Sequence, residues 1–472
     1  MTNIMVACSS NGHHDVMQTQ RQGLTLLPVR PAGVVRGEQA QASVRIYKPF
    51  FLCGIVTVLT VGCLLGALAL LGIARQSSYT SSAWTPFVLA HANSQLFGWV
   101  GFFVMGFALQ QHGTSVGKKD VFLRISYGAL GAMGLGITLR FLAEPLAQYQ
   151  PGQWVWLGIL SGVFQILSVA LFSYNIGVNR FKKNEPLTWP TAFVFGSLGC
   201  LLLVSLAEPW VFAMTHQVNR DASIAFVAQW MTPLRETQFL GFVTLMIFGV
   251  AASKFPGCLG FRAAEKSLGV ASLVLWLCGL TARVWGWQHF YQSGLAPGND
   301  LIFRFGGFLL FLGALSMSAS IGVFEKARNN NASQKFLRAA YSWLLVAGLL
   351  LVLEPLHLQT IGQPFSHAYT GGIRHAVTVG FISQMIIGVG YHLVSRMSVV
   401  PSQGLPQLWT VFVLMNLGNA ARVSLEIMTD YRKDAFLPMG WTGFVELTGL
   451  AIWAFYMVRI MNKRGNLHAQ TC

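Results

Sequence analysis

Long apolar stretches recur along the whole chain and are separated by short polar segments. The hydrocarbon core of a membrane, about 30 Å thick, requires about 20 apolar residues for each helical span. The stretches that meet this length predict twelve transmembrane helices, at 49–74, 86–111, 122–146, 153–177, 188–214, 227–252, 267–290, 300–324, 337–357, 373–395, 405–428 and 438–460. The sequence therefore predicts an all-α, polytopic membrane protein that contacts lipid.

The charge distribution predicts the orientation of these helices. Only 10% of the 472 residues are charged, whereas a soluble domain has about 25%. The net charge of +16 comes mainly from basic residues in alternate connections and in the C-terminal tail: Lys118, Lys119, Arg180, Lys182, Lys183, Lys254, Arg262, Lys266, Lys326, Arg328, Lys335, Lys463 and Arg464. This alternation follows the positive-inside rule, which predicts that both termini lie in the cytoplasm. The excess of basic residues thus determines how the helices are oriented in the membrane and does not indicate a nucleic-acid partner.

The chain divides into a leader, a membrane domain and a short tail. Residues 1–46 contain no apolar run long enough for a signal peptide and predict a mostly disordered cytoplasmic leader. The twelve predicted helices occupy 47–465, and 466–472 form a cytoplasmic tail. The seven Cys residues have no C-x-x-C or paired spacing, so they suggest neither a zinc site nor a disulfide framework.

The membrane domain contains internal repeats. RETQFLGFVTLMIFGV at 235–250 aligns with RHAVTVGFISQMIIGV at 374–389, a shift of 139 residues. In a different helix, GITLR, GLTAR and GNAAR end at Arg140, Arg283 and Arg422, with shifts of 143 and 139. Two helices with one register predict three four-helix repeats, at approximately 49–178, 188–324 and 337–460, around a pseudo-threefold axis. The second, sixth and tenth spans should then superpose at Ala92, Arg235 and Arg374.

Ionisable residues in the predicted outer half of the spans are the candidate functional residues. Each costs at least about 2.5–3.5 kcal/mol near the bilayer centre, so such residues mark functional sites by default. Arg140 and Arg422 are each followed four residues later by a glutamate, at Glu144 and Glu426, which can meet them on one helix face. Each of three glutamates precedes a proline and predicts a helix end or kink: Glu144, Glu208 and Glu354. Together these residues predict a ring of buried charge.

Two histidines at matched depth, His91 and His375, suit axial ligation of a haem. Nearby guanidiniums suit its propionate groups, and the candidates are Arg374, Arg235, Arg140, Arg283 and Arg422. The candidate metal ligands are His91, His375, His289 and His367, and His216 and His357 are further candidates for a copper site on the same side. The alternative for each histidine is a hydrogen bond to a neighbouring helix. His112, His392 and His468 lie on the opposite side and are interpreted as structural.

Three motifs resemble the NnrS family of twelve-span, haem- and copper-containing bacterial membrane proteins of the nitric oxide response. They are YKPFFLCG from Tyr47, HANSQLFGWVGFFVMGFALQ from His91 and RHAVTVGFISQMIIGVG from Arg374. The second-span motif of the family usually reads His-Ala-His-Glu, and here Asn93 and Ser94 replace its last two residues. The family is similar in turn to subunit I of the haem–copper oxidases. The resemblance implies haem b held by His91 and His375, with copper as a second cofactor and a small gaseous or redox ligand.

Two other functions remain open from the sequence. An oxidase or nitric oxide reductase catalytic subunit would need a His on the sixth span and a His pair on the seventh. The sixth span offers Arg235 and Glu236 instead, and the seventh offers only His289 at its outer end. The other alternative is a cofactor-free carrier, in which the charged ring binds an anion or couples to protons.

Overall fold

The computed structural model describes residues 45–79, 83–112, 119–150, 152–182, 186–328, 331–397 and 405–463. Within these ranges the chain is helical and has no β-strand. The predicted leader and tail fall almost entirely outside the described residues, as do Lys118, Lys183 and Arg464.

Twelve helices in the described part are long and apolar enough to cross a membrane. We label them α1 to α12 in chain order: Tyr47–Gln76, Thr85–Gln111, Asp120–Tyr149, Gln153–Arg180, Trp189–Thr215, Arg220–Leu259, Lys266–Gln292, Leu301–Ile321, Gln334–Ile361, His367–Arg396, Trp409–Met428 and Lys433–Asn462. The all-α, multi-pass membrane fold predicted from the sequence is confirmed.

Two helices begin earlier than the apolar pattern predicts, because polar side chains cap them. Helix α10 begins at His367 rather than at 373, and the Ser366 hydroxyl accepts a hydrogen bond from the Tyr369 backbone N–H. Helix α6 begins at Arg220 rather than at 227, where the Asn219 side chain accepts the first backbone N–H groups. Arg374 and His375 therefore lie well inside α10 and do not open it.

Three helices form the centre of the bundle. In the most apolar windows of α2, α6 and α10, 72%, 67% and 78% of residues are buried, compared with 33–44% in the other nine helices. The outer helices pack as neighbouring pairs α3–α4, α7–α8 and α11–α12, and further contacts join α4 to α5, α8 to α9 and α12 to α1. The outer helices thus form three groups, α3–α4–α5, α7–α8–α9 and α11–α12–α1.

Each central helix contains a π-helical segment, in which the turns are wider than in an α-helix. The segments are Ser94–Val100 in α2, Thr237–Thr244 in α6 and Ala376–Ser383 in α10. Their first residues are separated by 143 and 139 positions, the same shifts as in the sequence repeats. Isolated π turns inside α-helices occur often at functional sites. Superposition of three units about one axis stays a prediction.

Candidate functional site

Ionisable side chains are concentrated in one layer of the bundle. The layer lies in the half of the membrane domain that contains the C-terminal ends of the odd-numbered helices. Successive spans cross in opposite directions, so this layer falls late in the odd helices and early in the even ones. We call it the polar layer: His91, Arg140, Glu144, Glu208, Arg235, Glu236, Arg283, Glu354, Arg374, His375, Arg422, Glu426 and Glu446. Because a buried unpaired charge is strongly destabilising, the partners of each member decide what the layer can do.

The first cluster of the layer joins α3, α5 and α6. The Arg140 Nε donates to Glu144 Oε1 at 2.6 Å, and its Nη1 lies 3.2 Å from Glu208 Oε2. Glu208 also accepts from Gln238 Nε2 at 2.9 Å, and Arg235 Nη1 donates to Gln238 Oε1 at 2.6 Å. Arg140 and Glu144 form the pair that their spacing predicts. The cluster links the predicted first repeat to the second.

The second cluster joins α6, α7 and α9. Arg283 donates from Nε and Nη2 to Glu236 Oε1, at 3.0 and 2.8 Å, and its Nη1 lies 3.8 Å from Glu354 Oε2. Its guanidinium also stacks over the Phe303 ring, 3.9 Å from the centroid. Arg283 is 2% exposed, so this pairing is what makes its burial tolerable. As in the first cluster, an arginine late in one odd helix reaches a Glu-Pro pair on the next.

The third cluster, on α10 and α11, has fewer partners. Arg422 Nη2 donates to Glu426 Oε1 at 3.0 Å, the second pair that the four-residue spacing predicts. The other two guanidinium nitrogens of Arg422 make no hydrogen bond with the described residues. Glu446 on α12 lies within electrostatic range of Arg422, but its buried Oε1 also lacks a hydrogen-bond partner there. Both amide atoms of Asn419, which is fully buried, are likewise unsatisfied within the described residues.

The helices continue through the prolines of the Glu-Pro pairs. Pro145, Pro209 and Pro355 all lie inside α-helices, which extend to Tyr149, Thr215 and Ile361. The expected helix ends are therefore wrong, and the alternative, a kink at each proline, stays a prediction. Neighbouring helices in a membrane tolerate proline within a span, and these prolines occur one turn or more before the end.

His91 has a fixed tautomer that leaves one nitrogen available. Its Nδ1 lies 2.8 Å from the carbonyl oxygen of Gly62 on α1, and a carbonyl can only accept, so Nδ1 carries the proton. Its ring packs directly over Gly66, where any larger side chain would overlap it. Nε2 makes no hydrogen bond with any described residue. A neutral imidazole with its Nδ1–H on a carbonyl and its Nε2 lone pair available is the form that binds metals.

His375 is held in the same way. Its Nδ1 lies 3.0 Å from the carbonyl oxygen of Gly371, which accepts its proton, and 3.3 Å from Glu426 Oε2. The side chain is 29% exposed, and Nε2 has no hydrogen bond within the described part of the chain. His91 and His375 lie within electrostatic range of each other. The two central helices thus present two imidazoles in the same region of the bundle.

Two arginines of the central helices have no carboxylate ion pair among the described residues. Arg235 donates only to the neutral amide of Gln238, and Arg374 has no hydrogen bond or ion pair with any described side chain. The two guanidiniums lie within electrostatic range of each other, and Arg235 is also within range of His91. Two like charges left together inside a membrane domain favour an anionic group as their partner.

These donors fit a haem in number and in chemistry. Axial ligation needs two nitrogen lone pairs, which His91 and His375 supply, and the propionates need cations, which Arg235 and Arg374 supply. Arg140, Arg283 and Arg422 already pair with carboxylates, and their role at a cofactor stays a prediction. The π segments begin within three residues of each histidine.

The histidines expected at a copper site are not brought together. His289 and His367 are exposed at the end of α7 and the start of α10. His216 Nε2 lies 3.2 Å from Glu144 Oε2, and His357 Nε2 lies 2.7 Å from Asp430 Oδ2. The described residues contain no group of three or more His, Cys, Asp and Glu side chains suited to a metal ion.

The position of the family's second motif histidine has a structural role here. Asn93 and Gln165 on α4 form a reciprocal pair, in which Gln165 Nε2 donates to Asn93 Oδ1 at 2.8 Å. Asn93 is 1% exposed, so its amide is committed to the contact between α2 and α4. Copper stays a prediction from the resemblance.

The sequence interpretation left out Gln238, Asn419 and Glu446, and mentioned Glu236 only as a residue unable to bind copper. Glu446 had the clearest signal, because it is an acidic residue in the middle of an apolar span. No family model matches the chain, and no curated protein matches it.

Proposed function

We propose that this chain is a haem-binding membrane protein that resembles NnrS and holds the iron between His91 and His375. The observation that carries the proposal is the shared state of the two imidazoles, each with Nδ1 on a backbone carbonyl and Nε2 without a hydrogen bond. When bound, the haem would supply a redox-active iron, and a small gas would reach that iron only by displacing one of the two histidines. His91 and His375 hold the metal, and the carbonyls of Gly62 and Gly371 orient the rings.

Arg235 and Arg374 act as the counter-ions of the propionates in this proposal. Neither has a carboxylate partner among the described residues, whereas the other three arginines of the polar layer do. A haem dicarboxylate would therefore give the two guanidiniums a direct ion pair, beside the more distant carboxylates Glu208 and Glu236. Glu426 contacts His375 and helps to set its orientation.

The reduced-minus-oxidised absorbance spectrum of protein purified in detergent tests this function. We expect a haem b spectrum that His375→Ala abolishes or shifts, with membrane insertion unchanged. His392→Ala is the matched control, because His392 is on the same helix, where its Nδ1 contacts Asn331. A normal haem spectrum in His375→Ala would overturn the ligand assignment. Loss in both variants would indicate a general effect on α10.

The second candidate is a cofactor-free carrier for a small anion. It is favoured by the same unpaired guanidiniums, Arg235 and Arg374, which suit phosphate, nitrate or a carboxylate as well as a propionate. Purified protein without haem would support it, provided that an anion raises its melting temperature and Arg374→Gln removes this effect. Haem in stoichiometric amount supports the first function instead.

The physiological role that follows from the first function is in the response to nitric oxide, and the proposed location is the bacterial inner membrane. Twelve crossings return the C-terminus to the side of the N-terminus, and the positive-inside rule makes that side cytoplasmic. Alkaline phosphatase and green fluorescent protein fused after Lys463 test the orientation, since only the second should be active. Addition of nitric oxide to the reduced protein should shift the haem spectrum.

A further inference from the structure

A groove of about 880 Å³ opens between α9 and α11, at the opposite end of these helices from the polar layer. It begins at the N-terminal turns of both helices and runs towards the middle of the membrane domain. Its walls include Lys335, Arg338, Trp343, Val346, Trp409 and Phe412.

One end of the groove is positively charged. Lys335 and Arg338 line it, and no acidic residue does. The Lys335 ammonium lies 4.0 Å from the centroid of the Trp409 ring, which itself is 60% exposed. Arg338 donates from Nε and Nη2 to the backbone carbonyls of Val323 and Glu325, at 3.2 and 2.9 Å. These contacts fix the guanidinium at the groove without neutralising its charge.

The rest of the groove is apolar or already satisfied. Val346 is 39% exposed and lies eleven residues beyond Lys335, a distance of about 16 Å along a helix. Asn416 lies in the floor, but its oxygen accepts from Trp343 Nε1 at 3.0 Å and from Gln384 Nε2 at 2.9 Å. Its amide nitrogen donates to the Phe412 carbonyl at 2.8 Å. The floor therefore offers an acyl chain an apolar surface and leaves no polar atom of Asn416 without a partner.

At the starts of α5 and α7 the two helices are in close contact. Trp189, the first residue of α5, packs against Gly269 in the first turn of α7 and leaves no space for an added side chain there. At the starts of α9 and α11, Lys335, the second residue of α9, instead faces the large Trp409 ring.

We propose that this groove binds one anionic phospholipid, with its phosphate at Lys335 and Arg338 and an acyl chain along Trp343, Val346 and Phe412. Basic pockets between transmembrane helices recognise anionic head groups. The aromatic and aliphatic wall matches the chain of the same molecule. Trp409 is exposed at the first residue of its span, where tryptophan commonly meets head groups. The occupant is a lipid, because the apolar wall is longer than any free phosphate requires.

Native mass spectrometry of the full-length protein in detergent tests the proposal, with phosphatidylglycerol and phosphatidylcholine as probes. We expect the native protein to retain phosphatidylglycerol and to bind it in preference to phosphatidylcholine. In Lys335→Gln the ratio of bound phosphatidylglycerol to bound phosphatidylcholine should fall about fivefold. Lys335→Arg should keep the preference. Lys266→Gln is the matched control. Lys266 is an exposed lysine at the start of α7, and Lys335 likewise lies at the start of α9, but Lys266 does not line the groove. Equal binding of the two lipids to the native protein would overturn the proposal.

Two further measurements distinguish a bound lipid from a free phosphate held by the basic residues alone. Ser342→Trp fills the exposed part of the groove without changing charge and should also remove the retained lipid, while the melting temperature stays near that of the native protein. Excess glycerol 3-phosphate should not displace the lipid. Displacement by glycerol 3-phosphate would assign the site to a free phosphate and would contradict a lipid site.

Discussion

Arg140 supplies the counter-charge for two buried carboxylates. Its guanidinium contacts both Glu144 and Glu208, and all three side chains are at most 5% exposed. Removing the arginine would leave two buried carboxylates without their shared counter-charge, which is far more costly than the loss of a surface ion pair.

We therefore expect Arg140→Met to lower the free energy of unfolding by about 3–5 kcal/mol. The measurement is unfolding by dodecyl sulfate in mixed micelles. Adding Glu144→Gln and Glu208→Gln to Arg140→Met should restore part of the loss, because the carboxylates are then neutral. Arg432→Met, in an exposed ion pair with Asp434, is the control and should leave the stability nearly unchanged. Equal effects at Arg140 and Arg432 would contradict the role of buried charge.

At this scale the sequence predicts local pairs and misses distant ones. Arg140–Glu144 and Arg422–Glu426 follow from a spacing of four residues on a helix. The contact of Arg283 with Glu236 joins residues 47 positions apart, and its existence depends on how α6 packs against α7. The unpaired state of Arg374 is equally invisible in the sequence, because it is a property of the neighbours that the fold supplies.

The central helix α10 approaches its neighbours closely at Gly380, inside its π segment. A Cβ at this position would lie 2.5 Å from Trp343 Cγ and 2.7 Å from Asn419 Nδ2. We expect Gly380→Ala to destabilise the protein by about 1–3 kcal/mol, because both neighbours are held by packed helices. Gly199→Ala on α5 is the matched control, since an added Cβ there meets nothing within 4 Å. The free energy of unfolding of Gly199→Ala should equal that of the native protein or exceed it by up to about 1 kcal/mol, because alanine has a higher helix propensity than glycine.

The π segment of α10 also sets the direction of Arg374 and His375 relative to the rest of the helix. Each residue turns an α-helix by about 100°, so deleting Val379 should rotate the two side chains by that angle. We expect the haem spectrum to disappear in the Val379 deletion and to persist when Val389, in the regular part of α10, is deleted. If the haem spectrum persisted in both deletions, the π segment would not be needed to orient Arg374 and His375 for haem binding.

The apolar pattern predicts all twelve helices, because the length of a span is set by the membrane and not by packing. It fails at their starts, where Ser366 and Asn219 add turns that contain polar residues. It also cannot predict the π segments, since a widened turn preserves composition and changes only the hydrogen-bond pattern.

In the whole molecule, the first and last helices meet. Gly443 on α12 lies against Ala67 on α1, and an ideal Cβ at 443 would be 3.0 Å from the Ala67 Cβ. We expect Ala67→Cys with Gly443→Cys, in a Cys63→Ala background, to form an intramolecular disulfide after a small shift, since disulfide Cβ atoms stand about 3.5–4.5 Å apart. Faster migration on a non-reducing gel would reveal it. Ala67→Cys with Gly199→Cys should stay reduced, and a bond in that pair instead would contradict the packing of α12 against α1.

The polar layer has a further consequence for a protein in an energised membrane. A charge that crosses the whole membrane changes energy by about 2.3 kcal/mol per 100 mV. In the layer, guanidiniums such as Arg140 and Arg283 are interleaved with a similar number of carboxylates and held by packed helices. The electric field therefore pulls neighbouring groups in opposite directions, and the forces nearly cancel. An anion that reaches Arg374 from the nearer surface traverses only a small part of the voltage, so its occupancy should be almost independent of respiration.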